Sequence, residues 1–186
     1  RVPNTEIVIA SKEGGALRTE MGLTFADLTK LADVDGADMI MIPGGPGQTD
    51  AMQDPEFMAH VKRLGASAKY VTSVCTGSLI LAAAGLLTGK RAGSHWAYRE
   101  LLGAFGAVPD DARVVRDGNL VTAGGVTSGI DFALKLIALA QGEDVARTIQ
   151  LALAQGYLEA NMAGDAAQLL GRINPASLAK EQQGTF

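Results

Sequence analysis

Residues 69–87 read KYVTSVCTGSLILAAAGLL. A β-branched run, KYVTSV (69–74), gives way without a spacer to an almost wholly apolar run with helical character, TGSLILAAAGLL (76–87). A helix apolar on all sides has to be buried, and a strand feeding it directly is the repeating unit of an α/β fold. The residue at the junction, Cys75, is the only cysteine among 186 residues.

The remaining segments fit the same class. TEIVIAS (5–11) and GADMIMIPGG (36–45) read as strands, the second ending in a Gly-Gly turn. PEFMAHVKRLGASA (55–68) has helical spacing, with Pro55 suited to the first helical position. HWAYRELLGAFG (95–106) predicts a helix, and ARVVRDGNLVTAGG (112–125) a hairpin turning near Asp117-Gly118. SGIDFALKLIALAQG (128–142) and GEDVARTIQLALAQGYLEAN (142–161) predict two more helices, and AAQLLGRI in the polar tail a weak one. Strands alternating with helices imply an α/β domain with a mainly parallel sheet, in which ligands sit beyond the carboxyl ends of the strands. Gly44-Gly45 and Cys75 both fall at such ends.

Composition removes several function classes. The chain length suits one domain, and 47% apolar with 19% charged residues is a globular balance. A net charge of −4 without a basic cluster lacks the footprint of nucleic-acid binding. No apolar run reaches the ~18 residues of a membrane span, and no signal peptide is expected. A single cysteine forms no intramolecular disulfide, so a reducing cytoplasm is the simplest compartment.

Cys75 reads in two ways: a small core residue, or a nucleophile on a tight strand-to-helix turn. Such a turn requires small residues two positions before and after, and here they are Ser73 and Gly77. A helix N-terminus favours a thiolate. The Thr76 amide would point at an oxyanion formed on the bound substrate, with Gly45 of IPGGPG as the second donor. Of the two histidines, His60 lies mid-helix and reads as a surface or packing residue. His95 sits at a strand-helix junction, where it either orients the thiolate and moves protons or merely packs. GGVTSGID (124–131) reads as a tight turn capped by Thr127 or Ser128. No metal constellation is present in the sequence.

IPGGPG, YVTSVCTGSLILAAAGLLTGKRAGSHW and VVRDGNLVTAGGVTSGIDFAL together resemble the ThiJ/PfpI superfamily, relatives of the class I glutamine amidotransferases. The resemblance covers residues 5–152 and is greatest to the isonitrile hydratase branch. It implies a flavodoxin-like three-layer sandwich with a mainly parallel sheet, usually a homodimer, acting on a small molecule without a cofactor. It makes Cys75 the nucleophile, Thr76 its elbow neighbour, Gly45 part of the oxyanion loop and His95 the histidine after the next strand. Asp131 takes the place of the acid in the turn-helix motif, in a structural role. The activity implied is addition of water to an isonitrile, giving an N-substituted formamide through a Cys75 thioimidate. The alternatives are the ligand-sensing domain of an AraC-type regulator and a redox or glyoxalase-like cysteine protein.

Two features depart from that pattern. Family members begin with a strand carrying a catalytic acid, followed by a helix, whereas this chain opens at Arg1 on what resembles the second strand. The expectation is one domain over residues 1–186 lacking that strand, helix and water-activating acid. After LALA (151–154), QGYLEANMAGD stands where hydratases carry an acid- and proline-containing stretch. The tail RINPASLAKEQQGTF is too short for a helix-turn-helix, which weighs against the regulator.

Overall fold

The computed structural model describes residues 4–19 and 21–171. A boundary after Phe132 divides them into two compact units.

The first unit holds the sheets. β1 (Ala10–Ser11), β2 (Gly15–Arg18) and β3 (Thr24–Lys30) form one, in the order β1-β3-β2. β4 (Met39–Ile42), β5 (Tyr70–Val74), β8 (Val114–Asp117) and β9 (Leu120–Ala123) form another, in the order β4-β5-β9-β8. Between them in the chain, β6 (Arg91–Ala92) pairs with β7 (Val108–Pro109). β4, β5 and β9 are parallel, whereas β8 returns antiparallel through the hairpin. Ile42 stands opposite Ser73, and Ser73 opposite Thr122. This register brings the carboxyl ends of three strands level, and β9 is buried along its whole length, as a central strand of a covered sheet should be.

Helices α1 (Gln48–Gln53), α2 (Pro55–Ser67) and α3 (Gly77–Ala83) belong to this unit. Its apolar core joins Ile40, Val71 and Leu120 of the sheet to Val61 and Leu64 of α2 and Leu79–Ala82 of α3. The start of α2 is written in the sequence. Asp54 caps it by accepting from the amides of Glu56 and Phe57, both at 3.1 Å, and Pro55 follows in the first turn. The Lys12 ammonium, 2.7 Å away, together with those amides holds the Asp54 carboxyl below the usual carboxylate range.

Three expectations are corrected, and one pair of strands is new. The strand expected over 5–11 shrinks to Ala10–Ser11: among the described residues β1 pairs only with β3, and Ile7, Val8 and Ile9 stay exposed, Ile7 at 81%. Nothing was expected of β2 and β3, an antiparallel pair whose register shifts where Asp27 takes φ +56°. The helix expected over 76–87 ends at Ala83, because Gly85 leaves it at φ +77°. The segment 95–106 is not an α-helix but a turn followed by a 3₁₀ helix, Arg99–Phe105. Its amides bond three residues back, Tyr98 to His95 at 2.9 Å and Leu101 to Tyr98 at 3.1 Å.

Helix α4 (Gly129–Gln141) crosses the boundary between the units. In the second unit, α5 (Glu143–Glu159) packs on α6 (Ala163–Leu170), burying Ala146, Ala154, Ala166 and Leu169. Gln150 donates to the Leu169 carbonyl at 3.0 Å. The departure QGYLEANMAGD thus continues α5 and begins α6. The tail RINPASLAKEQQGTF lies outside the described residues.

Candidate active site

Cys75 occupies the turn between β5 and α3 and adopts φ +60°, the left-handed region that non-glycine residues avoid. Two glycines make so sharp a turn fit. A Cβ on Gly77 would lie 2.1 Å from the Ile42 carbonyl oxygen and 2.7 Å from that of Pro43. A Cβ on Gly44 would lie 2.6 Å from the Thr76 nitrogen and 2.7 Å from Cys75 Cβ. The end of β4 and the start of α3 therefore interlock, backbone against backbone.

Both peptide groups of Cys75 are fastened to other segments. Its amide donates to the carbonyls of Gly124 (2.8 Å) and Ala123 (3.1 Å) at the end of β9. Its carbonyl accepts from Ser94 Oγ (3.1 Å), Ser78 Oγ (3.2 Å) and the His95 amide (3.3 Å). Cys75 as a whole is half-buried.

Thr76 closes the site towards Gly45. Its hydroxyl accepts from the Gly45 amide at 3.0 Å and donates to the Gly45 carbonyl at 3.2 Å. Gln48, buried at the start of α1, donates its side-chain amide to the same carbonyl and to that of Pro46. Gly45 itself sits at φ +152°. The Gly45 amide, expected as an oxyanion donor, is thus engaged by the Thr76 hydroxyl. The Thr76 amide lies beneath Gly44, the residue whose missing side chain leaves room for it.

His95 is half-buried on the turn after β6. Its Nδ1 accepts from the Ala97 amide at 3.3 Å, so the neutral ring carries its proton on Nε2. The ring lies against Gly125, where a Cβ would come within 3.1 Å of Cδ2, and it faces Trp96 and Tyr98 at centroid distances of 5.5 and 5.8 Å. Asp131 pairs with Arg113 at 2.7 Å, and Arg113 also donates to the Thr127 carbonyl, so the Asp131 carboxylate braces the turn into α4. His60 is half-buried on α2, with its Nδ1 3.4 Å from the Arg63 guanidinium.

Gly44 stands at the strand end where its Gly-Gly turn placed it, whereas Ser78, Ser94, Gln48 and Arg113 were not expected at the site. The two serines give no signal in the sequence, because their partner is a backbone carbonyl whose direction depends on the elbow itself. Among the described residues, no group of three or more His, Cys, Asp or Glu side chains could hold a metal ion.

A model of the DJ-1/PfpI family matches residues 3–139. An isonitrile hydratase of Pseudomonas putida is 46% identical over 152 residues, covering 82% of this chain and 67% of the hydratase. The crystal structure of a ThiJ/PfpI family protein from Pseudomonas syringae superposes with a TM-score of 0.76 at 42% identity, covering 79% of this chain but only 62% of that one. The HTH-type transcriptional regulator GlxA of Rhizobium meliloti (strain 1021) is 28% identical, over 95% of this chain and 56% of its own.

Proposed function

The chain belongs to the DJ-1/PfpI family, and on that premise we propose that it is a cysteine-dependent isonitrile hydratase acting through Cys75. The observation that carries the reading is Cys75 held left-handed at the β5–α3 turn, in a chain 46% identical to an isonitrile hydratase.

The Cys75 thiolate attacks the terminal carbon of R–N≡C. Protonation of that carbon gives the thioimidate R–N=CH–S–Cys. Water adds to the same carbon, the nitrogen takes up a proton, and collapse of the adduct expels the thiolate and releases R–NH–CHO. One water is consumed and nothing is oxidised or reduced, so no cofactor is needed. The tetrahedral adduct places negative charge on oxygen. The Thr76 amide answers it first, and the Gly45 amide joins by exchanging the Thr76 hydroxyl for the oxyanion. His95, with its proton on Nε2, serves as proton carrier.

His95→Ala is expected to lower kcat by about 10²-fold, the usual cost of losing one proton carrier, without abolishing turnover. Formamide production by the full-length variant measures it. Unchanged kcat would leave His95 only its packing role against Gly125.

The protein is proposed to work as a homodimer in the cytoplasm. Trp96, Leu101, Phe105 and Val108 stand exposed on one stretch of chain, as surface awaiting a partner does. Among the described residues no helix is long and apolar enough to cross a membrane. Sedimentation at micromolar concentration should give twice the monomer mass, and a monomer there would refute the dimer.

A second reading has its own support. The similarity to an HTH-type regulator extends over 95% of the chain. Should the full-length wild-type protein turn over no isonitrile, a ligand-sensing role replaces the hydratase.

A further inference from the structure

The nucleophile's backbone conformation is unfavourable, so something must hold it. Strand β5 does not, because it ends at Val74. Helix α3 begins only at Gly77, and the Leu79 amide donates to Thr76 at 3.0 Å. No strand or helix amide of β5 or α3 reaches the Cys75 carbonyl, which accepts instead from one side chain of α3, the Ser78 hydroxyl, and from the Ser94 hydroxyl and the His95 amide. Two of those three come from one short segment. That segment is itself tied to the sheet, for the Gly93 amide donates to Thr122 Oγ1 on β9 at 2.7 Å. Ser94 is buried, so its hydroxyl has no water to prefer over this carbonyl.

We infer that Ser94, supported by Ser78, is a positioning residue that holds Cys75 in its left-handed conformation by donating to the Cys75 carbonyl. Ser94 touches neither sulfur nor substrate in this role. It fixes the direction from which the sulfur leaves the turn, and so the aim of the attack. The consequence for hydration rests on the hydratase reading, but the consequence for thiol reactivity does not.

The test separates the two. Full-length wild type, Ser94→Ala, Ser94→Thr, Ser78→Ala and the double alanine variant are treated with iodoacetamide. Alkylation of the Cys75 peptide is followed by mass spectrometry across pH, beside kcat and KM for an isonitrile. Ser94→Ala is expected to slow Cys75 alkylation and kcat by roughly tenfold with KM little changed, the scale of one buried hydrogen bond. The double variant should lose more, and Ser94→Thr, which keeps the hydroxyl, should recover most of the rate. Unchanged alkylation in Ser94→Ala and in the double variant overturns the inference, as does a Ser94→Thr variant no faster than Ser94→Ala. Should Ser94→Ala fail to fold, Ser78→Ala carries the test, since alanine suits a helix better than serine. Slower alkylation at an undiminished melting temperature then supports the inference, and an unchanged rate overturns it. Alkylation that depends on Ser94 in a protein hydrating no isonitrile supports the inference while removing the hydratase reading.

Discussion

Replacing Cys75 with alanine is expected to abolish isonitrile hydration by the full-length protein while leaving it folded. The sulfur supplies the only nucleophile in the proposed sequence, and no thioimidate forms without it. What remains is attack by water in a site that still binds substrate, so the loss should be on the order of 10⁴-fold or more, as when other covalent nucleophiles are removed. Stability should change little. The site is half-buried, alanine keeps the Cβ that already fits against Gly44, and both residues meet the same strain at φ +60°. Formamide release is the measurement, with a thermal melt as the control. Full activity in Cys75→Ala would end the nucleophile assignment whatever the substrate.

Gly77→Ala should have the largest effect on stability, and two opposing terms decide its sign. In an ordinary helix the change is favourable by about 1 kcal/mol, because alanine is the better helix former. Here the new Cβ would stand 2.1 Å from the Ile42 carbonyl oxygen, and that atom belongs to backbone at the end of β4, where no rotamer can relieve it. Overpacking of this kind costs roughly 3 kcal/mol. The steric term wins, and the displaced elbow should take Cys75 reactivity with it. Denaturant unfolding of Gly77→Ala against wild type reads the first effect. A variant as stable as wild type would mean that α3 can shift away from β4 freely, contrary to the interlock.

Much of the fold was legible in the sequence because its strongest signals are local. The apolar run that became β4, the β-branched run that became β5, the Asp54-Pro55 start of α2 and the hairpin of β8 and β9 each declare themselves within a few residues. Small residues at 73 and 77 likewise pointed to the elbow before any coordinates did. What stayed hidden depends on distant partners. β2 and β3 are mostly exposed, so no alternation of burial marks them. The segment after His95 carries helical spacing but hydrogen-bonds as a 3₁₀ helix, a distinction of one residue in register that periodicity blurs. At the site, the capture of the Gly45 amide by Thr76 spans 31 positions, and the bond from Ser94 to Cys75 spans 19. Neither is a pattern that spacing can show.

The attachment of Cys75 to so many segments also bears on how the protein reaches its native state. The carbonyls at the end of β9, the Ser94-His95 turn and the end of β4 all meet at one residue, and they come from places spread over much of the first unit. Contacts of long sequence separation form late, since the chain must close large loops before gaining anything from them. Helices α2 and α3 can assemble from neighbours, whereas the left-handed turn has no local reason to exist. During refolding, helical signal should therefore return ahead of a competent thiol, and the nucleophile is among the last features the chain completes.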